Sequence, residues 1–293
     1  MATRSPTPTR ARTTRSRSPA TDAPDGQDMR LTTIGTGSVP PSATRVNPGH
    51  LVEAGRVRLL MDCGSGVVHR MAGLELDWAG VTHVALTHFD QDHTSDVPAL
   101  FLAWRYGQLP PRSAPVTVFG PPGTRALMDR LAAALWDKLL VPGFPVVVDE
   151  VAPGDGRDLG DDVVLTTRAV THEPESIAYA VTHAGRRIVY TGDTAPDPTL
   201  GAWAGGADVL LTECSLPDEM AVPSHLTPTS VGELAAAADP GVLVLAHLYP
   251  MMDRLDLPAL VHARWPGRVV VAHDGWAIDL DPAGEVGGTP AAG

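Results

Sequence analysis

The densest chemistry in the chain lies in Thr87-His88-Phe89-Asp90-Gln91-Asp92-His93, where four metal-binding side chains fall within six positions. Imidazole and carboxylate together suit zinc, iron or manganese. Two cations held close together need several anionic oxygens to offset their charge, and one such cluster begins that task without completing it. Three later residues extend it: His172 follows Ala169-Val170-Thr171, Asp193 follows Ile188-Val189-Tyr190-Thr191-Gly192, and His247 follows Val242-Leu243-Val244-Leu245-Ala246. Taken singly, a histidine after a strand is most often structural, and an aspartate after glycine is most often a turn residue. Together they form a run of polar residues that each close a short apolar segment, which is the pattern of a two-metal site gathered from strand ends.

The elements that must position these residues follow from periodicity and breakers. Val81-Thr82-His83-Val84-Ala85-Leu86 is apolar and β-branched and reads as a buried strand, so the first cluster sits where a strand turns toward a helix. Strand ends of that kind open into the crevices of α/β proteins. Strands are expected over 30–34, 50–54, 57–62, 82–87, 116–119, 163–170, 176–183, 186–191, 207–212, 242–246, 268–272 and 276–280. Helices are expected over 66–72, 96–107, 122–139, 228–238 and 256–264. Ser95 or Asp96 would cap the second helix, and Thr227 or Thr229 the fourth, with Pro228 tolerated in its first turn. Strands in both halves, interleaved with helices, suit two face-to-face sheets with helices outside.

Composition sets the setting. Of 293 residues, 43% are hydrophobic, enough for a real core, and no apolar run approaches a membrane span. Residues 1–28 are different: arginines at 4, 10, 12, 15 and 17, no acid before Asp22, prolines at 6, 8 and 19, and no aromatic residue. Such a segment is expected to be a disordered basic tail, neither a signal peptide nor an amphipathic transit helix. Residues 29–281 are expected to form one domain, and 282–293, small and polar, a loose C-terminal tail. With the five tail arginines set aside, 17 Lys+Arg remain, far fewer than the 34 Asp+Glu of the whole chain. A body that acidic lacks the basic footprint of a nucleic-acid-binding protein. The only cysteines, Cys63 and Cys214, lie in segments that approach the site, so a disulfide framework is not expected; Cys214 reads as a small core residue. The setting expected is cytoplasmic, with no membrane partner.

Further motifs carry a resemblance. Leu31-Thr32-Thr33-Ile34-Gly35-Thr36-Gly37-Ser38, Asp62-Cys63-Gly64, Phe119-Gly120-Pro121-Pro122-Gly123, Gly192-Asp193-Thr194, Leu211-Thr212-Glu213-Cys214 and Ser224-His225-Leu226-Thr227 join the His88–His93 cluster over about residues 30–280. In this set the chain resembles the metallo-β-lactamase superfamily, and within it the ribonuclease Z and phosphodiesterase branch. The resemblance implies an α/β fold, a four-layer αββα sandwich. It also implies that His88 and His172 bind a first metal, that Asp92, His93 and His247 bind a second, and that Asp193 bridges them. Glu213 falls where ribonuclease Z has its His-Glu-Ala-Thr motif, and His225 where it has His-Ser-Thr. The superfamily usually has His-x-His-x-Asp-His, and this chain has Asp90 at the middle histidine. A carboxylate there either ligates as a harder donor or leaves a mainly mononuclear site; the preference of hard cations for oxygen favours ligation.

The expected cofactors are two divalent metal ions, zinc first, with manganese or iron admitted by Asp90. The expected reaction is hydrolysis by a metal-activated hydroxide, with Asp92 holding the water and accepting its proton. His225, oriented by Glu213, is the expected proton donor to the leaving group, and His273 is expected to support the site. The expected substrate is a phosphodiester, small or cyclic, or an RNA 3′ end as in ribonuclease Z. Transfer RNA fits poorly, because the stretch from the 122–139 helix to His172 is too short for that family's long substrate-holding arm. Two other readings stand: a carboxyl-ester, lactone or thioester hydrolase, and a non-hydrolytic iron-binding oxidoreductase or inactive member. A homodimer is compatible with each. Specificity is expected in loops near 38–49, 101–115 and 216–226.

Overall fold

The computed structural model describes residues 29–281 and the backbone of residues 286–288; the basic segment 1–28 and the other positions of 282–293 lie outside the described residues. The chain enters as β1 (Met29–Gly35), β2 (Gly49–Ala54) and β3 (Val57–Met61), an antiparallel meander. It continues through β4 (His83–Ala85), β5 (Val116–Gly120) and β6 (Val146–Glu150), each added parallel to the one before. The crossovers are α1 (Val67–Gly73), then α2 (Gln91–Thr94) with α3 (Val97–Tyr106), then α4 (Thr124–Leu135). A second sheet begins with β7 (Gly156–Asp158), β8 (Val164–Ala169), β9 (Ile177–His183) and β10 (Arg186–Tyr190), all antiparallel. It then repeats the parallel scheme with β11 (Val209–Glu213), β12 (Val242–Ala246) and β13 (Val269–Val271), across α5 (Pro198–Ala204), α6 (Pro228–Ala238) and α7 (Leu257–His262). The chain returns to the first sheet as β14 (Ala277–Leu280) beside β1, and β15 (Val286–Gly288) pairs with β14 from within the 282–293 segment. The result is an eight-stranded and a seven-stranded sheet.

The layering can be read residue by residue. In β12, Val242, Val244 and Ala246 enter the core between the sheets, while Leu243 and Leu245 face the helix side with Leu234, Val231 and Val261. In β3, Leu59 and Met61 face the other sheet, while Leu60 joins Val67, Met71, Leu100 and Phe101 on the outer helices. A strand covered on both faces must be apolar at successive positions, which is why β12 is a continuous apolar run. Three apolar layers thus separate four structural ones, and the fold is the αββα sandwich. Thr227 caps α6 in a capping box with Ser230, with Pro228 in the first turn. Asp96 precedes α3 but spends its carboxylate on the backbone N–H of Val68, 3.0 Å away.

Several expected bounds move. The strand expected over 82–87 keeps only His83–Ala85, because the Thr87 N–H turns out of the sheet to the Asp62 carboxylate at 2.8 Å. The helix expected over 122–139 ends at Leu135, where Trp136 is extended at φ −161°. The short helices α2 and α5 and the strands β6 and β7 add to the expected elements. At one edge the sheets touch directly: Gly37 bridges to Leu248 in parallel fashion, and the Leu248 N–H donates to the Thr36 carbonyl at 2.9 Å.

Candidate metal centre

Parallel strands in both sheets end at this shared edge, and the functional side chains lie just beyond them. Asp62 follows β3, His88 to His93 follow β4, Asp193 follows β10, Glu213 ends β11 and His247 follows β12. His172 comes from the turn between β8 and β9, and His225 from the segment before α6. Asp62 (φ 56°) and His247 (φ 54°) both hold left-handed backbone, a strained geometry that packing must enforce. Two glycines let the segments meet. A Cβ on Gly64 would lie 1.8 Å from the Asp92 carbonyl oxygen. Gly192 has φ +59°, and a Cβ there would meet the Thr87 side chain at 2.9 Å.

Four histidines share one arrangement. His88 Nδ1 lies 2.9 Å from Thr87 Oγ1, and His93 Nδ1 lies 2.8 Å from Asp62 Oδ2. His172 Nδ1 lies 3.1 Å from the Ser224 carbonyl, and His247 Nδ1 lies 2.8 Å from Ser215 Oγ. The Thr87 hydroxyl donates its own hydrogen to Asp62, and the Ser215 hydroxyl donates to Glu213, so both accept from histidine. Each Nδ1 therefore carries the proton, and each Nε2 lone pair is left facing the same space.

Carboxylates converge on those Nε2 atoms. Asp90 Oδ2 is 3.5 Å from His88 Nε2 and 3.3 Å from His172 Nε2. Asp92 Oδ2 is 3.4 Å from His247 Nε2 and 3.9 Å from His93 Nε2. Asp193 lies between the groups, 3.4 Å from His93, 3.3 Å from His247 and 4.0 Å from His172. Ligands about 2.0–2.2 Å from a tetrahedral ion sit roughly 3.3–3.6 Å apart, which matches this spacing. The Nε2 atoms of His88 and His93 and Oδ1 of Asp193 are buried without a hydrogen-bond partner. Buried atoms of that kind call for a ligand, and the donor set fits divalent cations. Among the described residues the resulting clusters are His88–His172–Asp193, with Asp90 beside it, Asp92–His93–His247, and Asp193–His225–His247, which shares its members with the other two except for His225.

The protons show the same unmet demand for positive charge. Burial disfavours a charged His172, but its hydrogen bond to Asp90 and the Asp193 charge outweigh that and raise it to about 9. Burial likewise opposes charge on His93, yet Asp193 and Asp62 carry it well above the usual histidine range. Asp90 is held below the ordinary carboxylate range, first by hydrogen bonds to His172 and His88.

Glu213 is buried and ties the rim together. It accepts from Thr194 N at 2.7 Å and Leu226 N at 3.1 Å, and both its oxygens lie 3.1 Å from His225 Nδ1. The His225 ring stands 5.0 Å from His172 and 5.7 Å from His247, centroid to centroid. Burial opposes its protonation, and the Glu213 hydrogen bond and charge outweigh burial, so it is raised. Every expected ligand and both members of the Glu213–His225 pair therefore meet at one place.

His273 does not join them. Its ring is exposed and bonds to the carbonyl of Asp274 at 3.0 Å. Asp274 supports the rim instead, accepting from Thr36 N at 3.0 Å and Val46 N at 2.8 Å. Sequence reasoning also missed the roles of Asp62, Thr87, Tyr190 and Ser215. Asp62 is fully buried and accepts from Thr87, from His93 and from the Tyr190 hydroxyl at 2.8 Å. A usable signal was an acid closing the apolar β3 run in Asp62-Cys63-Gly64. His50 is buried edge-on to the Tyr190 ring at 4.8 Å, and burial depresses it to about 3.

With this geometry in place, comparison with known proteins is decisive. The model of the β-lactamase superfamily domain matches residues 57–248. The chain belongs to the β-lactamase superfamily. Ribonuclease Z of Mycobacterium sp. strain KMS is 31% identical over 278 residues, which cover 87% of this chain and 97% of that one. Ribonuclease Z of Mycobacterium bovis strain BCG / Pasteur 1173P2 is 28% identical, covering 87% and 99%. Among solved structures, the metallo-β-lactamase fold protein YhfI from Bacillus subtilis aligns with TM-score 0.75 at 23% identity, covering 86% of this chain and 99% of that one. Human tRNase Z, short form, aligns with TM-score 0.70 at 23% identity, covering 85% and 98%. As a member of this β-lactamase superfamily the chain is a metal-dependent hydrolase, its fold implies divalent metals, and its His/Asp clusters are suited to hold them.

Proposed function

We propose that the chain hydrolyses phosphodiester bonds with two divalent cations. His88, His172 and Asp90 would hold one and Asp92, His93 and His247 the other, with the Asp193 carboxylate available to both. The observation that carries this is the shared histidine arrangement, every Nδ1 committed and every Nε2 converging on carboxylates. Bound there, the cations supply Lewis acidity and an acidified water near neutral pH. Asp92 would orient the attacking water and take its proton. His225 donates from Nε2 to the leaving oxygen, and Glu213 fixes the ring through Nδ1.

The Glu213–His225 pair would serve a poor alkoxide leaving group, and the ribonuclease Z relatives favour phosphodiesters over carboxyl esters, lactones or thioesters. The ribonuclease Z relatives bring RNA 3′ processing into the reading. The acidic body favours a small or cyclic phosphodiester over transfer RNA, and the connection from α4 to β8 is taken up by β6 and β7. Zinc is the first metal expected, with manganese or iron accommodated by Asp90. Two free, buried cysteines, Cys63 and Cys214, fit a cytoplasmic setting, and among the described residues no helix is long and apolar enough to cross a membrane. A homodimer belongs to the same reading, and sedimentation checks it.

The test joins metal analysis to hydrolysis. Protein reconstituted with zinc, manganese or iron should hold about two ions per chain and cleave a nitrophenyl phosphodiester faster than matched ester, lactone or thioester substrates. Less than about half an equivalent of metal, or a preference for a carbonyl substrate, would overturn the reading.

A further inference from the structure

Glu213 and Ser215 connect His225 to one of the two pockets. Strand β11 ends at Glu213, and Ser215 stands just beyond it, fully buried. The Ser215 main chain is bonded to the segments that carry both histidines. Its N–H donates to the carbonyl of Leu226, the neighbour of His225, at 3.0 Å. Its carbonyl accepts from the N–H of Tyr249, just past His247, at 3.3 Å. The side chain repeats the connection. The Ser215 hydroxyl lies 2.8 Å from His247 Nδ1 and 2.5 Å from Glu213 Oε2, and both Glu213 oxygens lie 3.1 Å from His225 Nδ1. A continuous chain of hydrogen bonds therefore runs from His247 through Ser215 and Glu213 to His225.

The direction of that chain is set at its His247 end. A hydroxyl has one hydrogen to give. With the proton on His247 Nδ1, Ser215 accepts from the ring and turns its own hydrogen to Glu213. With the proton on Nε2, Nδ1 becomes an acceptor and competes with Glu213 for that hydrogen. Glu213 has little slack to absorb the change. Oε1 already accepts from Thr194 N at 2.7 Å and Oε2 from Leu226 N at 3.1 Å, so the Ser215 and His225 hydrogens complete the roughly four lone-pair positions of a carboxylate. Ligation through His247 Nε2 excludes the second tautomer.

We propose that Ser215 couples the Asp92–His93–His247 pocket to the acid: occupation of that pocket at His247 Nε2 fixes the hydrogen bonds that orient the His225 ring. Ser215 touches no reacting atom and is a positioning residue. The inference rests on the proposed hydrolysis and adds a dependence to it, in which the proton donor is set only where this pocket is filled. Coupling of this kind is reciprocal, so the Ser215 hydroxyl also tightens the pocket.

Ser215→Ala removes the hydroxyl and Ser215→Thr keeps it. In chelator competition with zinc, Ser215→Ala should weaken one binding step by about tenfold, and Ser215→Thr should stay near the parent. With zinc saturating, Ser215→Ala should lower turnover of an alkyl phosphodiester by about tenfold and of a nitrophenyl phosphodiester by about twofold, since only the first needs the acid. In a His225→Ala background the further loss on the alkyl substrate should vanish. An equal loss on both substrates, or the same tenfold loss without His225, would overturn the proposal and leave Ser215 as a support of His247 alone. Should Ser215→Ala fail to fold, Ser215→Val against Ser215→Thr, equal in shape, makes the same comparison. Proton NMR of the His225 Nδ1–H, assigned by its absence in His225→Ala, gives a readout apart from turnover. Zinc should sharpen that signal in the parent and in Ser215→Thr and leave it broad in Ser215→Ala. Equal sharpening in Ser215→Ala would also overturn the coupling. If the parent binds zinc but cleaves no phosphodiester, the hydrolysis reading fails while the NMR comparison still decides on Ser215.

Discussion

The two halves of the metal centre are built to different standards. The pocket of Asp92, His93 and His247 is backed by buried groups on every side. His93 rests on Asp62, itself fixed by Thr87 N, Thr87 Oγ1 and Tyr190, and His247 rests on Ser215 and Glu213. The pocket of His88, His172 and Asp90 is looser. His172 comes from a turn and is held by one carbonyl, and the Asp90 side chain is 48% exposed. Positioning groups behind a ligand fix its tautomer and orientation before metal arrives, so less freedom is lost on binding. The difference teaches that the pockets should fill in order, the well-backed one first and at lower metal concentration.

Asp193 is common to both pockets, so its loss should break the comparison most completely. Asp193→Asn should lower metal content from about two ions per chain to one or fewer and cut hydrolysis by roughly a thousandfold. Elemental analysis after gel filtration decides it. Two ions retained with near-normal turnover would remove Asp193 from the bridge. One ion retained would show that one pocket stands without the bridge.

The acid pair comes next. His225→Ala should leave metal content intact and lower turnover on a poor leaving group by about a hundredfold or more. With nitrophenolate as leaving group the loss should shrink, because little protonation is needed. An equal loss on both substrates would mean that His225 positions substrate rather than delivering a proton.

These tests turn on residues of unequal legibility. His88, Asp193 and His247 could be picked out because each closes an apolar run, and Asp92 and His93 because they crowd beside His88; such runs record burial on both faces of a strand. The fold was legible for the same reason: Val242-Leu243-Val244-Leu245-Ala246 can only be so apolar between a second sheet and a helix layer. Asp62 also closes a run, yet its hydrogen bonds to Thr87, His93 and Tyr190 span 25 to 128 positions of sequence, and no local pattern records that. His273 was expected to support the site, but Asp274 beside it takes the inward place. Helix α5 escaped because seven residues carry too little periodicity to separate from a loop.

Substitutions behind each pocket sharpen the comparison directly. Asp62→Asn should weaken the well-backed pocket most, by about 10–100-fold in metal affinity, because the amide no longer fixes the His93 tautomer, and the other pocket less, through Thr87 behind His88. Asp90→Ala should weaken only the exposed pocket, and Asp90→His should shift its preference toward zinc. A chelator-competition titration reads two steps in the parent protein, and each variant should move a different one the further. Both variants moving the same step would erase the distinction between the pockets.

The smallest expected effect lies outside both pockets and isolates the fold from the metals. His83 on β4 stacks against Phe119 at 5.7 Å, and partial burial depresses it from 6.5 to about 4. The folded state therefore resists a proton that the unfolded chain accepts readily between those values. The unfolded state binds more protons in that window, so stability is full above about pH 6.5 and falls as pH drops toward 4, levelling off below. Discounted for the exposed part of the ring, the contribution is about 1–2 kcal/mol. His83→Gln should flatten this slope. Acid also strips cations from histidine ligands, a change common to parent and variant, so the quantity to measure is their difference in denaturation midpoint from pH 7 to 4. A difference that stays constant across that range would place the acid sensitivity wholly in the metal pockets.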